Sequence, residues 1–235
     1  KIKFLASVFD ISSFNFLQKL NPNLIKIPSG EITNKILLDK ISKSNSNIIF
    51  STGMSDEKEI QDAYKILKNS KKKVIPMYCV SSYPTKLNEF NIKKMMNLKK
   101  KYKLFGFSDH TIGYEAALFA VSHGARVIEK HLTLSKKLSG PDHLASMEPS
   151  DFKNLVKHIR NFEILLRNRK ISKKEIINKK FVRKFLVAKK FIKKGDVYSQ
   201  KNIGAKRSGG GISPMRINKF LAKSALAVVW SIKIF

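Results

Sequence analysis

The chain has 235 residues, 43% of them hydrophobic and 10% aromatic, which is enough to bury a sizeable core and excludes whole-chain disorder. A single cysteine, Cys79, excludes an intramolecular disulfide framework and a cysteine-based zinc site. The formal charge of +30, from 47 Lys and Arg against 17 Asp and Glu, raises the question of a polyanionic partner.

The basic residues argue against one. They are mostly lysines spread along the chain, at Lys71–Lys73, Lys99–Lys101 and Lys173–Lys174, where helix surfaces and turns are expected. A nucleic-acid site more often groups arginine with stacking aromatics on one element. Solvated faces are therefore the favoured reading, and nucleic acid is not expected as a partner. No apolar run reaches the ~20 residues of a membrane-spanning helix, and KIKFLASVFD does not resemble a signal peptide, so a soluble, cytoplasmic protein is expected. Because position 1 is lysine rather than methionine, a preceding N-terminal segment is also expected.

In chain order, short β-like runs alternate with helical stretches. Phe4–Phe9 precedes a helix around Ser13–Leu20. Leu24–Ile27 runs into Pro28-Ser29-Gly30-Glu31 and a helix around Lys35–Ser42. Asn47–Phe50 runs into Ser51-Thr52-Gly53-Met54, and then into a helix with an acidic first turn that Ser55 is able to cap. Val74–Val80 enters Ser81-Ser82-Tyr83-Pro84-Thr85, Leu104–Phe107 enters Ser108-Asp109-His110-Thr111, and the sixth run is Arg126–His131. Spacings of roughly 20–30 residues leave room for one crossover helix each, as in a parallel sheet. Polar residues at the strand C-termini favour an α/β fold of the (β/α)8 TIM-barrel type, with about six βα units in this chain. An open doubly wound sheet also accepts six strands, but no Gly-x-Gly-x-x-Gly turn supports a dinucleotide version.

Beyond the sixth run, Asp151–Arg169 repeats apolar residues at helical spacing. Residues 1–166 are expected to form the partial barrel. Arg167–Lys180, basic and without periodicity, reads as a linker. Residues 181–235, with short β-like pieces and the glycine-rich Ser208–Gly211, read as a small second domain.

His110 and His131 each close a β-run on successive strands, which in a barrel brings both imidazoles to one rim within reach of a single divalent cation. His123 and His158 have the character of helix-surface residues, and His143 is undecided. Lys26 sits inside an apolar strand and points either into the barrel or toward the helices. An ammonium there is costly unless paired with an anion. Ser29, Ser51 and Ser108 stand at comparable strand ends. A lysine with hydroxyls and glycine-flanked N–H groups is what a phosphate or carboxylate requires, so a phosphorylated or acidic small substrate is favoured. Glu31, Tyr83 and Asp142 are further polar groups on that rim.

Six segments in this order resemble the motif series of the N-acetylneuraminate (sialic acid) synthase family: Lys26-Ile-Pro-Ser-Gly-Glu31, Ser51-Thr-Gly-Met54, Ser82-Tyr-Pro-Thr85, Gly106-Phe-Ser-Asp-His-Thr111, Ile128-Glu-Lys-His131 and Gly140-Pro-Asp-His143. Val187–Gly195 and Lys206–Ser213 resemble that family's antifreeze-like (SAF) domain. The resemblance implies condensation of phosphoenolpyruvate with an N-acetylmannosamine-type sugar, releasing phosphate. In that family C3 of phosphoenolpyruvate attacks the sugar aldehyde, water adds at C2, and the tetrahedral intermediate loses phosphate. It also implies that His110 and His131 hold Mn²⁺ or Mg²⁺, that Lys26, Ser29, Ser51 and Ser108 bind phosphoenolpyruvate, and that Glu31, Ser81, Tyr83 and Asp142 contact the sugar. Lys26, Glu31 and Tyr83 are the implied catalytic side chains. Arg207 is implied to reach the sugar from a partner subunit in a domain-swapped homodimer. Legionaminic and pseudaminic acid synthases share these motifs. The chain departs from the pattern at Tyr78-Cys79, where the family has His-Cys, at Ser208, where it has proline, and in the ending Leu226–Phe235. The family's first two strands have no counterpart here, which leads to the expectation of an incomplete barrel. From a different class, a basic polyanion-binding protein on an inactive barrel remnant is the alternative.

Overall fold

A computed structural model describes residues 4–68 and 72–229. It divides into two compact units, residues 1–167 and 168–235. Residues 230–235, the greater part of the divergent ending, and Lys71 of the first lysine cluster lie outside the described residues.

The first unit is an α/β fold on a five-stranded parallel sheet of β1 (Leu24–Ile27), β2 (Asn47–Ser51), β3 (Val74–Cys79), β4 (Gly106–Asp109) and β5 (Val127–Lys130), hydrogen-bonded in sequence order. Every crossover between these strands carries a helix. These are α2 (Lys35–Ser42), α3 (Glu57–Leu67), α4 (Ile92–Lys101) and α5 (Glu115–Ser122), with α1 (Ile11–Lys19) before β1 and α6 (Pro149–Leu165) after β5. Ile25, Ile27, Ile48 and Phe50 alternate along β1 and β2 on the face that packs with Leu37, Leu38 and Ile41 of α2, and all four are fully buried, while Lys26 lies on the opposite face. Burying each such side chain contributes ~1.5–3 kcal/mol, so this sheet and the apolar stripes of α2 and α3 dominate the stability of the unit.

Two expectations about element limits are corrected. Phe4–Phe9 does not form a strand of the ladder. It makes one isolated parallel bridge, Ser7 to Lys26, with Val8 N–H donating to Lys26 O at 3.1 Å and Lys26 N–H to Ala6 O at 3.2 Å. Phe4 and Phe9 are exposed, and Val8, fully buried, and Ala6, packed beside the core, are too little to hold the run flat against β1. The cap of α3 is Asp56 rather than Ser55: its carboxylate accepts from Glu59 N–H at 2.8 Å while Glu59 accepts from Asp56 N–H, a reciprocal capping box. At the other end of the sheet, β5 is half-buried along its whole length because, among the described residues, only β4 pairs with it.

The second unit holds α7 (Lys173–Val182) and an antiparallel pair, β6 (Phe185–Ala188) and β7 (Ile203–Lys206). Its core is Leu186, Ala188, Ile192, Tyr198, Ile203, Ala225 and Val229. The stretch expected as a linker is therefore largely helical. Ser172 and Glu175 form a capping box that starts α7, and no residue of the helix is buried, which is why no apolar period marks it in the sequence. Among the described residues no helix is long and apolar enough to cross a membrane.

Candidate active site

The C-terminal ends of the five strands open into one cavity of about 350 Å³, whose wall includes Lys26, Ser29, Ser51, Ser108, His110 and His131. Lys26 points into this cavity. Its ammonium donates to Glu129 Oε2 at 2.9 Å, across the concave face of the curled sheet from β5. Ser108 Oγ donates to the same carboxylate oxygen at 2.7 Å. Burial alone would raise the Glu129 pKa, but the Lys26 ammonium and the Ser108 hydroxyl outweigh it and hold the carboxyl below the usual range.

The loop after β2 is shaped by Gly53, whose φ of +44° suits glycine. A Cβ there would fall 2.5 Å from Ser29 Cβ and 2.6 Å from Ser81 Oγ. That close approach lets Ser29 Oγ and Ser81 Oγ stand 3.3 Å apart beside the cavity. Gly53 N–H donates to Cys79 Sγ at 3.1 Å and its carbonyl accepts from Lys94 Nζ at 2.7 Å, so the turn is tied on both sides. Burial pushes the Cys79 thiol up, which keeps it protonated despite the nearby Gly53 N–H and Lys26. Ser51 Oγ is buried and borders the Cys79 sulfur, yet it makes no hydrogen bond of satisfactory geometry among the described residues.

His110 and His131 converge as the sequence suggests, with ring centroids 5.4 Å apart. His110 Nδ1 lies 2.7 Å from Val80 O, so Nδ1 carries the proton and Nε2 keeps its lone pair. Burial lowers the His110 pKa, His131 lowers it further, and the Val80 hydrogen bond only partly opposes them, so the neutral ring persists below the usual imidazole range. Among the described residues no group of three or more His, Cys, Asp or Glu side chains converges as a preformed cage. Two imidazoles side by side are nonetheless donors a divalent cation accepts when water and substrate oxygens fill its remaining positions. Tyr83 covers both rings, 4.1 Å from His110 and 5.7 Å from His131 between centroids. Its phenol pKa is raised by burial first and then by the charges of neighbouring acidic groups, including Asp142.

Not every expected residue meets at the cavity. Glu31 stands outside its wall and accepts from Asn34 Nδ2 at 2.7 Å. Asp142 is exposed on a loop with φ of +69°, near enough to Tyr83 to act on its phenol. Arg207 follows β7 in the second unit and is exposed there. The remaining histidines have local partners: His123 with Phe119 O, His143 with Thr133 Oγ1, and His158 stacked on Tyr114. Sequence reasoning passed over Glu129, Lys130, Asp109 and Cys79. A carboxylate embedded in the apolar run Val127–Lys130 was the available signal, since a buried Lys26 requires an anion.

Three comparisons place these observations. N,N'-diacetyllegionaminic acid synthase of Campylobacter jejuni is 47% identical over 230 residues, covering 95% of this chain and 69% of that protein. N,N'-diacetyllegionaminic acid synthase of Legionella pneumophila is 38% identical over 228 residues, covering 94% and 64%. The crystal structure of N-acetylneuraminic acid (sialic acid) synthetase from Leptospira borgpetersenii superposes with a TM-score of 0.69 at 34% identity, covering 77% of this chain and 66% of that one. The chain thus spans about two thirds of the length of the curated relatives it matches. The model of the NeuB family matches residues 1–171, and with these relatives it shows that the chain belongs to the NeuB family.

Proposed function

We propose that this chain carries the phosphoenolpyruvate and cation sites of a synthase that condenses phosphoenolpyruvate with an N-acetylmannosamine-type sugar, giving a nonulosonic acid and phosphate. One observation carries the reading: a buried lysine, strand-end hydroxyls and two imidazoles border the same cavity. A carboxylate–phosphate trianion needs a desolvated cation and several donors around it. Lys26 supplies the charge, and Ser29, Ser51 and Ser108 supply hydroxyl donors, with Ser51 Oγ free to turn to a ligand. Glu129 holds Lys26 and Ser108 in place by sharing one oxygen between them.

His110 and His131 would hold the divalent cation, Mn²⁺ or Mg²⁺. Bound there, the metal supplies Lewis-acid polarisation of the sugar aldehyde. Tyr83, lying against both rings, is assigned to the sugar side. Glu31, Ser81 and Asp142 are assigned to the sugar, and Arg207 to a sugar contact made from the second unit of a partner subunit in a homodimer. Residues 181–235 are read as an antifreeze-like domain on the motifs Val187–Gly195 and Lys206–Ser213.

The test is phosphate release by the full-length protein from phosphoenolpyruvate, Mn²⁺ and N-acetylmannosamine or a diacetamido-hexose. Release is expected, and His131→Ala should abolish the Mn²⁺-dependent release. No release with either sugar, or unchanged metal dependence in His131→Ala, would overturn the reading. A second reading keeps the reaction and changes the sugar: the 47% and 38% identity to N,N'-diacetyllegionaminic acid synthases favours an acceptor with two acetamido groups. A higher kcat/KM for the diacetamido-hexose than for N-acetylmannosamine would select it.

A further inference from the structure

We propose that the buried ion pair between Asp109 and Lys130 is a positioning device that sets the separation and aim of the His110 and His131 imidazoles; this rests on reading those rings as the cation site. Lys130 Nζ lies 2.8 Å from Asp109 Oδ2, and the two side chains are 1% and 0% exposed. The residues are register partners on β4 and β5, and a candidate ligand follows each of them directly in the chain. Asp109 Oδ1 accepts from Thr111 N–H and Thr111 Oγ1–H, both at 2.8 Å, and Lys130 Nζ also donates to Thr111 O. The pair therefore grips the backbone on both sides of His110 and staples it to the residue before His131.

An ion pair this deep is weak evidence for stability, because desolvation consumes much of its Coulomb energy and an apolar pair of similar volume often holds strands as well. What charge and hydrogen bonds add is direction. Four fixed bonds at Thr111 and Lys130 allow one relative placement of the two strand ends, whereas apolar contact allows sliding. Neighbouring backbone bonds complete the frame, with Thr85 N–H donating to His110 O at 2.9 Å and Met147 N–H to His131 O at 2.8 Å. Cation ligation tolerates errors of only about 0.2 Å in donor placement, so a frame behind the rings decides affinity without touching the ion.

The experiment uses full-length protein and compares wild type with Asp109→Asn and with Asp109→Asn/Lys130→Met. The double variant leaves no unpaired buried charge and keeps an acceptor for Thr111. Mn²⁺ affinity is measured by electron paramagnetic resonance, and the imidazole nitrogens of the metal-free protein are followed by NMR, with circular dichroism reporting the fold. We expect folded double variant to bind Mn²⁺ on the order of 10–100-fold more weakly, with altered His110 and His131 ring signals, and Asp109→Asn to change both readouts in the same direction by less. Wild-type affinity and wild-type ring signals in either folded variant would overturn the proposal and leave the cation reading standing. Altered ring signals together with no Mn²⁺ binding by the wild type would support the positioning role and overturn the cation reading.

Discussion

Lys26 and Glu129 sit on β1 and β5, the two ends of the sheet order, yet their charged atoms meet at 2.9 Å. Two strands separated by three others cannot touch in a flat sheet, where neighbours are about 4.8 Å apart. The contact therefore records how far the five strands curl, and it places a cation and its counter-ion in the interior of the arc.

Replacing Lys26 with Met should raise the KM for phosphoenolpyruvate on the order of 10–100-fold, the effect of losing a charge-assisted bond to an anion. It also strands the Glu129 carboxylate and should destabilise the fold. Lys26→Met/Glu129→Met removes both charges and should recover stability without recovering the KM. Thermal unfolding and steady-state kinetics on the two variants check this, and additive stability effects would refute the coupling.

Ser51→Ala should separate stability from function. The hydroxyl is buried without a satisfactory partner, so its removal should leave the unfolding midpoint unchanged or slightly higher. If that oxygen serves phosphoenolpyruvate, the KM should rise several-fold in the same variant. Loss of stability with an unchanged KM would assign Ser51 to the fold instead.

Gly53→Ala should be harmful out of proportion to one methyl group. The new Cβ would stand 2.5 Å from Ser29 Cβ in a backbone with φ of +44°, so Ser29 and Ser81 must move apart. Weaker phosphoenolpyruvate binding is expected, by about tenfold, together with a lower unfolding midpoint. Wild-type binding in a titration of the purified variant would show that the serines tolerate displacement.

The pH dependence of stability should carry a mark of Glu129. Its folded pKa lies below the ordinary 4.5, so the folded state takes up its proton less readily than the unfolded chain. The stabilising contribution is complete above about pH 4.5 and is lost as pH falls through the depressed folded value. Unfolding midpoints measured from pH 6 downward should therefore decline more steeply in wild type than in Glu129→Gln. Parallel curves would sink the assignment.

Much of the site was legible because strand ends write themselves into sequence. Apolar runs that break into Ser29, Ser51, Ser108, His110 and His131 announce which residues reach the rim, since in parallel strands covered by helices the run of polar residues begins at the C-terminal ends. Tyr83 was read on the rim on the same basis, and the motif resemblance added Ser81. Phe4–Phe9 misled because a strand needs partners and cover as well as propensity, and α7 was missed because a helix that buries nothing carries no apolar period.

The chain by itself determined the order of the elements, the parallel topology and the chemical types gathered at the rim, because periodicity and turn residues act locally. Which face Lys26 occupies, that Glu129 answers it from the far strand, and that Asp109 and Lys130 bind one another behind the two histidines were decided only by tertiary structure. Those relationships depend on sheet curvature and strand register, which join residues up to 103 positions apart and which no local pattern encodes.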